Sequence, residues 1–100
     1  MRTLPVRFAP EANRQLESIE DYISAQGRPE TAASFVQAIV TRCMKVGDVP
    51  SGGTPRDDLM PDARSVSFKR SATILYTVED EFVTIQGVFY GGRDLDNHYR

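Results

Sequence analysis

Residues 64–94 read RSVSFKRSATILYTVEDEFVTIQGVFYGGRD, and the sheet of the fold can be predicted from them. Two runs within this stretch, Ala72–Val78 and Phe82–Tyr90, are rich in β-branched and aromatic residues and alternate with period two, which predicts paired strands. The acidic run EDE (79–81) separates them. Because this turn lacks Asn-Gly or Asp-Gly, we expect a loop slightly longer than two residues. A shorter strand, Ala63–Phe68, precedes the hairpin, so the stretch predicts a three-stranded antiparallel meander.

The alternation also predicts the register of the hairpin. The predicted pairs are Val78 with Val83, Tyr76 with Ile85, and Ile74 with Gly87. This register leaves four apolar side chains on the outer face of the sheet: Leu75, Phe82, Val88 and Tyr90. A solvated sheet face is mostly polar, so an apolar one suggests that something other than the helices covers it.

The residues before the meander predict one strand and two helices. Pro5–Ala9 alternates and is flanked by prolines, which suits a short edge strand. Apolar side chains at helical spacing predict an amphipathic helix from Pro10 that Gly27 closes as a C-terminal cap. A second helix begins at Pro29, and so short a connection packs the two helices as an antiparallel hairpin. Residues 50–63, with several prolines and glycines, predict a loop.

The predicted order is therefore strand, helix, helix and three strands. Such a βααβββ chain forms an α+β two-layer sandwich, with the helix hairpin on one face of an antiparallel sheet. The 100 residues 1–100 are expected to form a single domain.

Composition excludes several classes of protein. With 12 basic and 14 acidic side chains the formal net charge is −2, and the absence of a Lys/Arg block argues against non-specific nucleic-acid binding. The single cysteine, Cys43, lies on the apolar stripe of the second helix, so we expect a buried thiol in a reducing, intracellular compartment. No apolar run is long enough for a signal peptide or a membrane span. No nucleotide fingerprint or metal-ligand spacing occurs, so neither a cofactor nor a metal is predicted.

Five side chains are candidates for contact with a target or for acid–base chemistry: Arg64, Lys69, Tyr90, Arg93 and His98. The cations can bind phosphate or carboxylate, and imidazole titrates near neutrality, although a histidine so near a terminus is usually solvated. We expect the start of the first meander strand and the end of the third to lie at the same end of the sheet. This arrangement would bring Arg64 near Arg93, with Tyr90 beside them. Ordinary surface charge, which protects strand edges from aggregation, is the alternative interpretation.

Several short motifs, each weak alone, occur in an informative order. They are Pro50-x-x-Gly53, Arg64 opening a strand, Tyr76-x-Val78, Val83-x-Ile85 and Gly91-x-Arg93-Asp94-Leu95. Over nearly the whole chain this order resembles the ParE/RelE superfamily of bacterial type II toxins. The ending, residues 88–95, is similar to ParE-type chains, which often carry histidine where this chain has Tyr90.

The resemblance implies a cytoplasmic toxin neutralised by a ParD-like antitoxin whose C-terminal segment wraps it. ParE-like toxins are associated with poisoning DNA gyrase and blocking replication, whereas RelE-like relatives cut mRNA on the ribosome. Ribosomal cleavage favours a strongly basic protein, so the acidic net charge favours gyrase, with target contacts at Arg64, Tyr90 and Arg93.

Two alternatives stay open within the resemblance. A RelE-like ribonuclease would use Arg64, Lys69 or Arg93 on phosphate and Tyr90 or His98 as acid or base. A non-toxic module that only binds antitoxin is the other. In each case the antitoxin is expected to cover the outer face: Leu75, Phe82, Val88 and Tyr90.

Overall fold

The structure is a computed structural model that describes residues 3–91. Its elements in chain order are β1 (Val6–Phe8), α1 (Pro10–Ser24), α2 (Pro29–Val46), β2 (Thr54–Pro55), β3 (Ala63–Phe68), β4 (Ala72–Val78) and β5 (Val83–Tyr90). The strands form one sheet in the order β1-β5-β4-β3-β2, in which β1 and β5 are parallel and the other pairs antiparallel. The predicted α+β fold is confirmed, with one short strand more than expected and a mixed sheet.

The two helices begin where the sequence predicts. Proline occupies the first turn of each, where its missing N–H costs no hydrogen bond. One apolar stripe of each helix is buried: Ala12, Leu16, Ile19 and Ile23 in α1, and Ala32, Ile39, Cys43 and Val46 in α2. The first helix ends at Ser24, earlier than predicted, and Gly27 instead reverses the chain with φ 82°. No helix within residues 3–91 is long and apolar enough to cross a membrane.

The meander follows the prediction closely. β3 and β4 have the predicted bounds, while β5 begins one residue late and β1 is shorter by one residue at each end. The predicted loop of residues 50–63 contains the additional strand β2, which pairs with Arg64 and Ser65. A proline in a strand fits this edge position because no ladder hydrogen bond is required of it.

The hairpin register is confirmed over its first half and wrong over its second. Val78 pairs with Val83 and Tyr76 with Ile85, but Ile74 lies opposite Val88 rather than Gly87. The cause is a bulge between Leu75 and Tyr76, opposite which β5 carries the extra residue Gln86. One extra residue exchanges the faces beyond it. Val88 therefore joins the core beneath the helices.

The core has two parts, one on each face of the sheet. The helix-face cluster contains most of the largest buried side chains, among them Ile39, Ile74, Tyr76, Ile85 and Val88. The outer-face cluster consists of buried Ala63, Leu75 and Phe89, with Leu59 and Met60 packed against them. The chain thus covers the apolar part of its own outer face, because Leu59 and Met60 from the loop of residues 56–62 pack on it.

Candidate functional site

An aromatic cluster marks the end of the sheet where β5 finishes. Tyr90 is 38% exposed, and its ring centroid lies 6.0 Å from that of Tyr22 and 5.6 Å from that of Phe35. Phe35 also packs edge-on against Phe68 at 5.6 Å. We call these four side chains, Tyr22, Phe35, Phe68 and Tyr90, the aromatic end. Helices and sheet meet here, so both layers fix the position of Tyr90.

A basic turn lies beside the aromatic end. Lys69 and Arg70 join β3 to β4, and both have positive φ, 47° and 59°. The turn closes through the Ser71 N–H, which donates to the Phe68 carbonyl at 2.9 Å. Asn-Gly is the usual choice for such a turn, since each bulky residue at positive φ costs about 1–2 kcal/mol. The pairing of β3 with β4 on either side stabilises this strained turn, which presents two exposed cations.

Tyr90 lies close to this turn in the ladder. It pairs with Ala72 of β4, and the next residue, Gly91, donates its N–H to the Ser71 carbonyl at 2.6 Å. Of the predicted candidates, the structure therefore brings Lys69 and Tyr90 to the same end of the sheet. Arg93 and His98 lie outside the described residues.

The predicted proximity of Arg64 to Tyr90 is wrong. Both β3 and β5 pair antiparallel with β4, so they run in the same direction and their starts lie at the same end of the sheet. Arg64 is level with Tyr76 and Ile85, and Ile85 precedes Tyr90 by about 16 Å of strand. The meander separates these two residues.

Arg64 forms hydrogen bonds with the loop that precedes β2. Its guanidinium donates to the carbonyls of Ser51 at 3.1 Å and Gly53 at 2.8 Å. These bonds tie residues 50–53 to β3. The side chain lines a shallow cleft of about 590 Å³ whose rim carries four carboxylates, those of Asp57, Asp62, Glu79 and Asp80. The two ends of the sheet thus differ in charge, with cations beside Tyr90 and carboxylates beside Arg64.

The predicted open surface on the outer face does not exist. Leu75 is 0% and Val88 1% exposed, the former beneath the loop of residues 56–62 and the latter beneath the helices. Phe82 is half-buried, with the Arg7 guanidinium 3.7 Å above its ring. Only Tyr90 of the four is exposed, and its ring contacts the helices. The bulge and the covering loop account for these differences.

Two buried groups with shifted pKa values are structural. Tyr76 is buried, and its hydroxyl donates to the Pro50 carbonyl at 2.8 Å and accepts from the Gly53 N–H at 2.9 Å. Burial raises the pKa of Tyr76, so the hydroxyl stays protonated as an anchor for this loop. Burial likewise raises the pKa of Cys43 to about 12, which keeps the thiol neutral, and the predicted buried thiol is confirmed.

The sequence interpretation missed Tyr22 and Phe35. Both lie at helical spacing beside the apolar stripes, where the ordinary expectation is core. The contacts of the Tyr90 ring with both of them show that these side chains belong to one aromatic cluster. A signal was present in Tyr22, a large aromatic at the margin of the stripe, which is 56% exposed.

Comparison with known proteins shows the family of the chain. The sequence profile described as "ParE toxin of type II toxin-antitoxin system, parDE" matches residues 6–95. The chain belongs to the ParE toxin family. The resemblance inferred from the motif order is thereby confirmed for this ParE-family chain.

Two solved structures share the fold. One is from the chromosomal ParDE toxin–antitoxin system of P. aeruginosa, with a TM-score of 0.77, 21% identity, and coverage of 88% of this chain and 96% of that chain. The other is from the toxin–antitoxin complex RelBE2 of Mycobacterium tuberculosis, with a TM-score of 0.66, 21% identity, and coverage of 88% and 98%. A comparison with curated proteins gives no match.

Proposed function

We propose that this ParE-family chain stops bacterial growth by acting on DNA gyrase in the cytoplasm, and that a ParD-like antitoxin neutralises it. The observation that carries the proposal is the family match over residues 6–95, which spans nearly the whole chain. The order of elements and the two structural neighbours support it as far as the fold.

The site geometry favours a protein target over an mRNA substrate. A general acid or base must come within hydrogen-bond reach of the reacting group. The backbones of Arg64 and Tyr90 are about 16 Å apart along the sheet, which argues against joint action on one phosphate. Nη1 of Arg64 also donates to two loop carbonyls, and these bonds hold the guanidinium at the loop. The net charge of −2 adds to this preference, since binding to RNA relies on dense positive charge.

The aromatic end has the composition of a protein contact. Tyrosine and arginine are enriched at the centres of interfaces because they combine a large contact area with hydrogen-bond donors. Tyr90 and Tyr22 supply the exposed aromatic area here, and Arg70 supplies a guanidinium on the adjoining turn. We place the gyrase contact at this end, with Tyr90 and Arg93 as its predicted members. Arg64 then acts only through the loop that it holds.

Fewer observations support the ribonuclease alternative. Lys69 and Tyr90 share one end of the sheet and offer a cation and a phenol. The purified chain should inhibit gyrase supercoiling while leaving ribosome-bound mRNA intact in a parallel assay. Prompt mRNA cleavage with unaffected supercoiling would reverse the ranking.

Growth and variant tests complete the experiment. Expression alone should arrest growth, and co-expression of an adjacent ribbon-helix-helix gene should restore it. Tyr90→Ala and Arg93→Ala should weaken gyrase inhibition, whereas Met44→Ala, a change at an exposed α2 position, should not. Normal growth with intact, soluble protein would favour a module that only binds antitoxin.

A further inference from the structure

The last two turns of α2 carry two cations without partners. Arg42 and Lys45 lie three residues apart, and Glu30, the only acidic residue of this helix, precedes Arg42 by about 18 Å. Neither cation forms a hydrogen bond or an ion pair within residues 3–91, although Asp48 follows the helix closely. The negative end of the helix dipole accounts for one cation in the last turn, but like charges one turn apart repel each other. The helix itself therefore gives no reason for the second cation.

Both cations line a small pocket between α2, β3 and the loop of residues 49–53. Its volume is about 260 Å³. Three apolar side chains also line it, and we call them the valine lining: Val46, Val49 and Val66. Among the described residues around the pocket, none is acidic. The pocket therefore combines two positive charges with an apolar surface.

Hydrogen bonds within the chain hold the polar side of this pocket in place. The buried Tyr76 hydroxyl accepts from the Gly53 N–H, and a Cβ at Gly53 would lie only 2.5 Å from that oxygen, so glycine lets the loop approach this closely. Burial raises the pKa of Tyr76, and the Gly53 N–H lowers it. The charges of Arg64 and Arg42 lower this pKa as well, so two guanidinium groups act on the hydroxyl. Arg64 thus adds to the positive potential around the pocket.

We propose that this pocket binds a small phosphate monoester, with the phosphate between Arg42 and Lys45 and a short apolar group against the valine lining. A phosphate monoester carries a charge of about −1.5 to −2 at pH 7, which two cations match. A guanidinium can bind two of its oxygens, and an ammonium binds as a point charge. The inference is independent of the proposed function, because no residue of the pocket belongs to the aromatic end or to the basic turn.

Size and charge select this class of ligand. Pockets for drug-sized molecules measure about 300–1,000 Å³, so a pocket of 260 Å³ takes a smaller one. A nucleic acid would need cations along the path of its backbone, whereas the charge here is confined to one pocket. A carboxylate brings a single negative charge and leaves one of the two cations without a counter-charge.

Calorimetric titration of the full chain with n-butyl phosphate tests the site. One molecule should bind per chain with a Kd below about 1 mM. Inorganic phosphate should bind at least about tenfold more weakly, because each CH₂ buried against the valine lining contributes about fourfold. Pentanoate, with a similar chain and a single charge, should bind at least about fivefold more weakly. The absence of saturable binding, or pentanoate binding as tight as that of the phosphate, would overturn the inference.

Charge variants locate the phosphate. Arg42→Gln and Lys45→Gln should each raise the Kd for n-butyl phosphate at least about tenfold. Arg28→Gln removes the same charge at the opposite end of α2 and should raise it less than about twofold. If all three variants weaken binding equally, the attraction is one of net charge and no site exists. If the first two lower thermal stability without changing the Kd, the cations serve only the helix and the proposal is wrong.

A matched pair of variants tests the pocket itself. Val49→Trp fills the pocket from a position 46% exposed, and Met44→Trp places the same ring at a position of α2 that is 49% exposed and outside the lining. Val49→Trp should raise the Kd at least about tenfold and Met44→Trp less than about twofold. In the wild-type chain, bound n-butyl phosphate should shift the amide resonances of Gly52 and Gly53. Equal effects of the two tryptophans, or unshifted glycine amides at saturation, would place the ligand elsewhere and contradict the proposal.

Discussion

The apolar positions on both faces of the sheet are buried, but under different kinds of structure. Beneath α1 and α2 lie Ile74, Tyr76 and Ile85, each 0% exposed. On the outer face Leu75 is equally buried, yet its cover is Leu59 and Met60 from an irregular loop. An apolar strand face therefore implies that something covers it, but it does not specify what the cover is. Here a loop of the same chain covers the face for which the sequence analysis predicted a partner protein.

The loop cover is short and is held by local hydrogen bonds. Its ends meet through the Arg56 N–H, which donates to the Ala63 carbonyl at 2.7 Å. The Asp62 N–H donates to the Asp57 carboxylate at 3.0 Å, and Asp62 itself has φ 62°. A short segment with exposed hydrogen bonds opens more easily than a packed helix. We therefore expect the outer face to open locally at a lower free energy than the helix face.

The largest expected effect comes from a charge on either face. Leu75→Asp and Val88→Asp should each lower the free energy of unfolding by more than about 4 kcal/mol, because both positions are sealed and offer a carboxylate no partner. Urea unfolding of the free chain measures this. Met44→Asp, at a position 49% exposed, is the control and should cost less than about 1 kcal/mol. If Leu75→Asp alone leaves stability intact, the loop is open in solution and the outer face is accessible after all.

A milder pair of substitutions compares the two covers directly. Ile85→Ala and Leu75→Ala should each cost about 2–5 kcal/mol, since both remove a fully buried aliphatic side chain. The same urea series gives both values. A cost at Leu75 well below that at Ile85 would mean that the loop collapses into the cavity, and would rank the outer face as the more adaptable one.

The sequence predicted the helix face better than the outer face for a physical reason. Helical spacing and strand alternation identify residues that share a face, and they placed the α2 stripe and the strands β3 and β4 correctly. A bulge follows from no periodicity, so Val88 was assigned to the wrong side. The covering loop was equally hidden, because Leu59 and Met60 are two apolar residues in a segment rich in proline and acid.

The candidate site was predicted only in part. Lys69 and Tyr90 were chosen for their chemistry, and the structure brings them to the same end of the sheet. Arg64 was wrongly predicted to lie beside Tyr90. The first and third strands of a meander run in the same direction, so the start of β3 and the end of β5 lie at opposite ends of the sheet. The contacts of Tyr90 with Tyr22 and Phe35 depend on how α1 and α2 cross the sheet, which no local pattern encodes.

A pH effect of intermediate size should report on the helix face. Burial raises the pKa of Cys43 to about 12 from 9.0, so the unfolded thiol ionises first and the folded state loses relative stability as pH rises from 9 towards 12. At pH 10 this loss should be about 1.4 kcal/mol relative to pH 8. Urea midpoints at the two pH values measure it. Cys43→Ala should flatten the dependence; an equally steep loss in that variant would assign the effect to other groups, Tyr76 among them.

The smallest expected effect concerns the loop cover itself. Leu59→Ala should lower the free energy of unfolding by only about 1 kcal/mol, because the side chain is half-buried at the edge of a small cluster. Its local effect should be larger than its global one. The Ala63 N–H, which donates to the Met60 carbonyl at 3.1 Å, should exchange at least about fivefold faster, while the Ile39 amide in α2 should follow only the global change. Val49→Ala, at a position 46% exposed outside this loop, should accelerate neither amide selectively. If Ala63 and Ile39 respond equally to Leu59→Ala, the loop opens only when the whole chain unfolds, and the two covers are one cooperative unit.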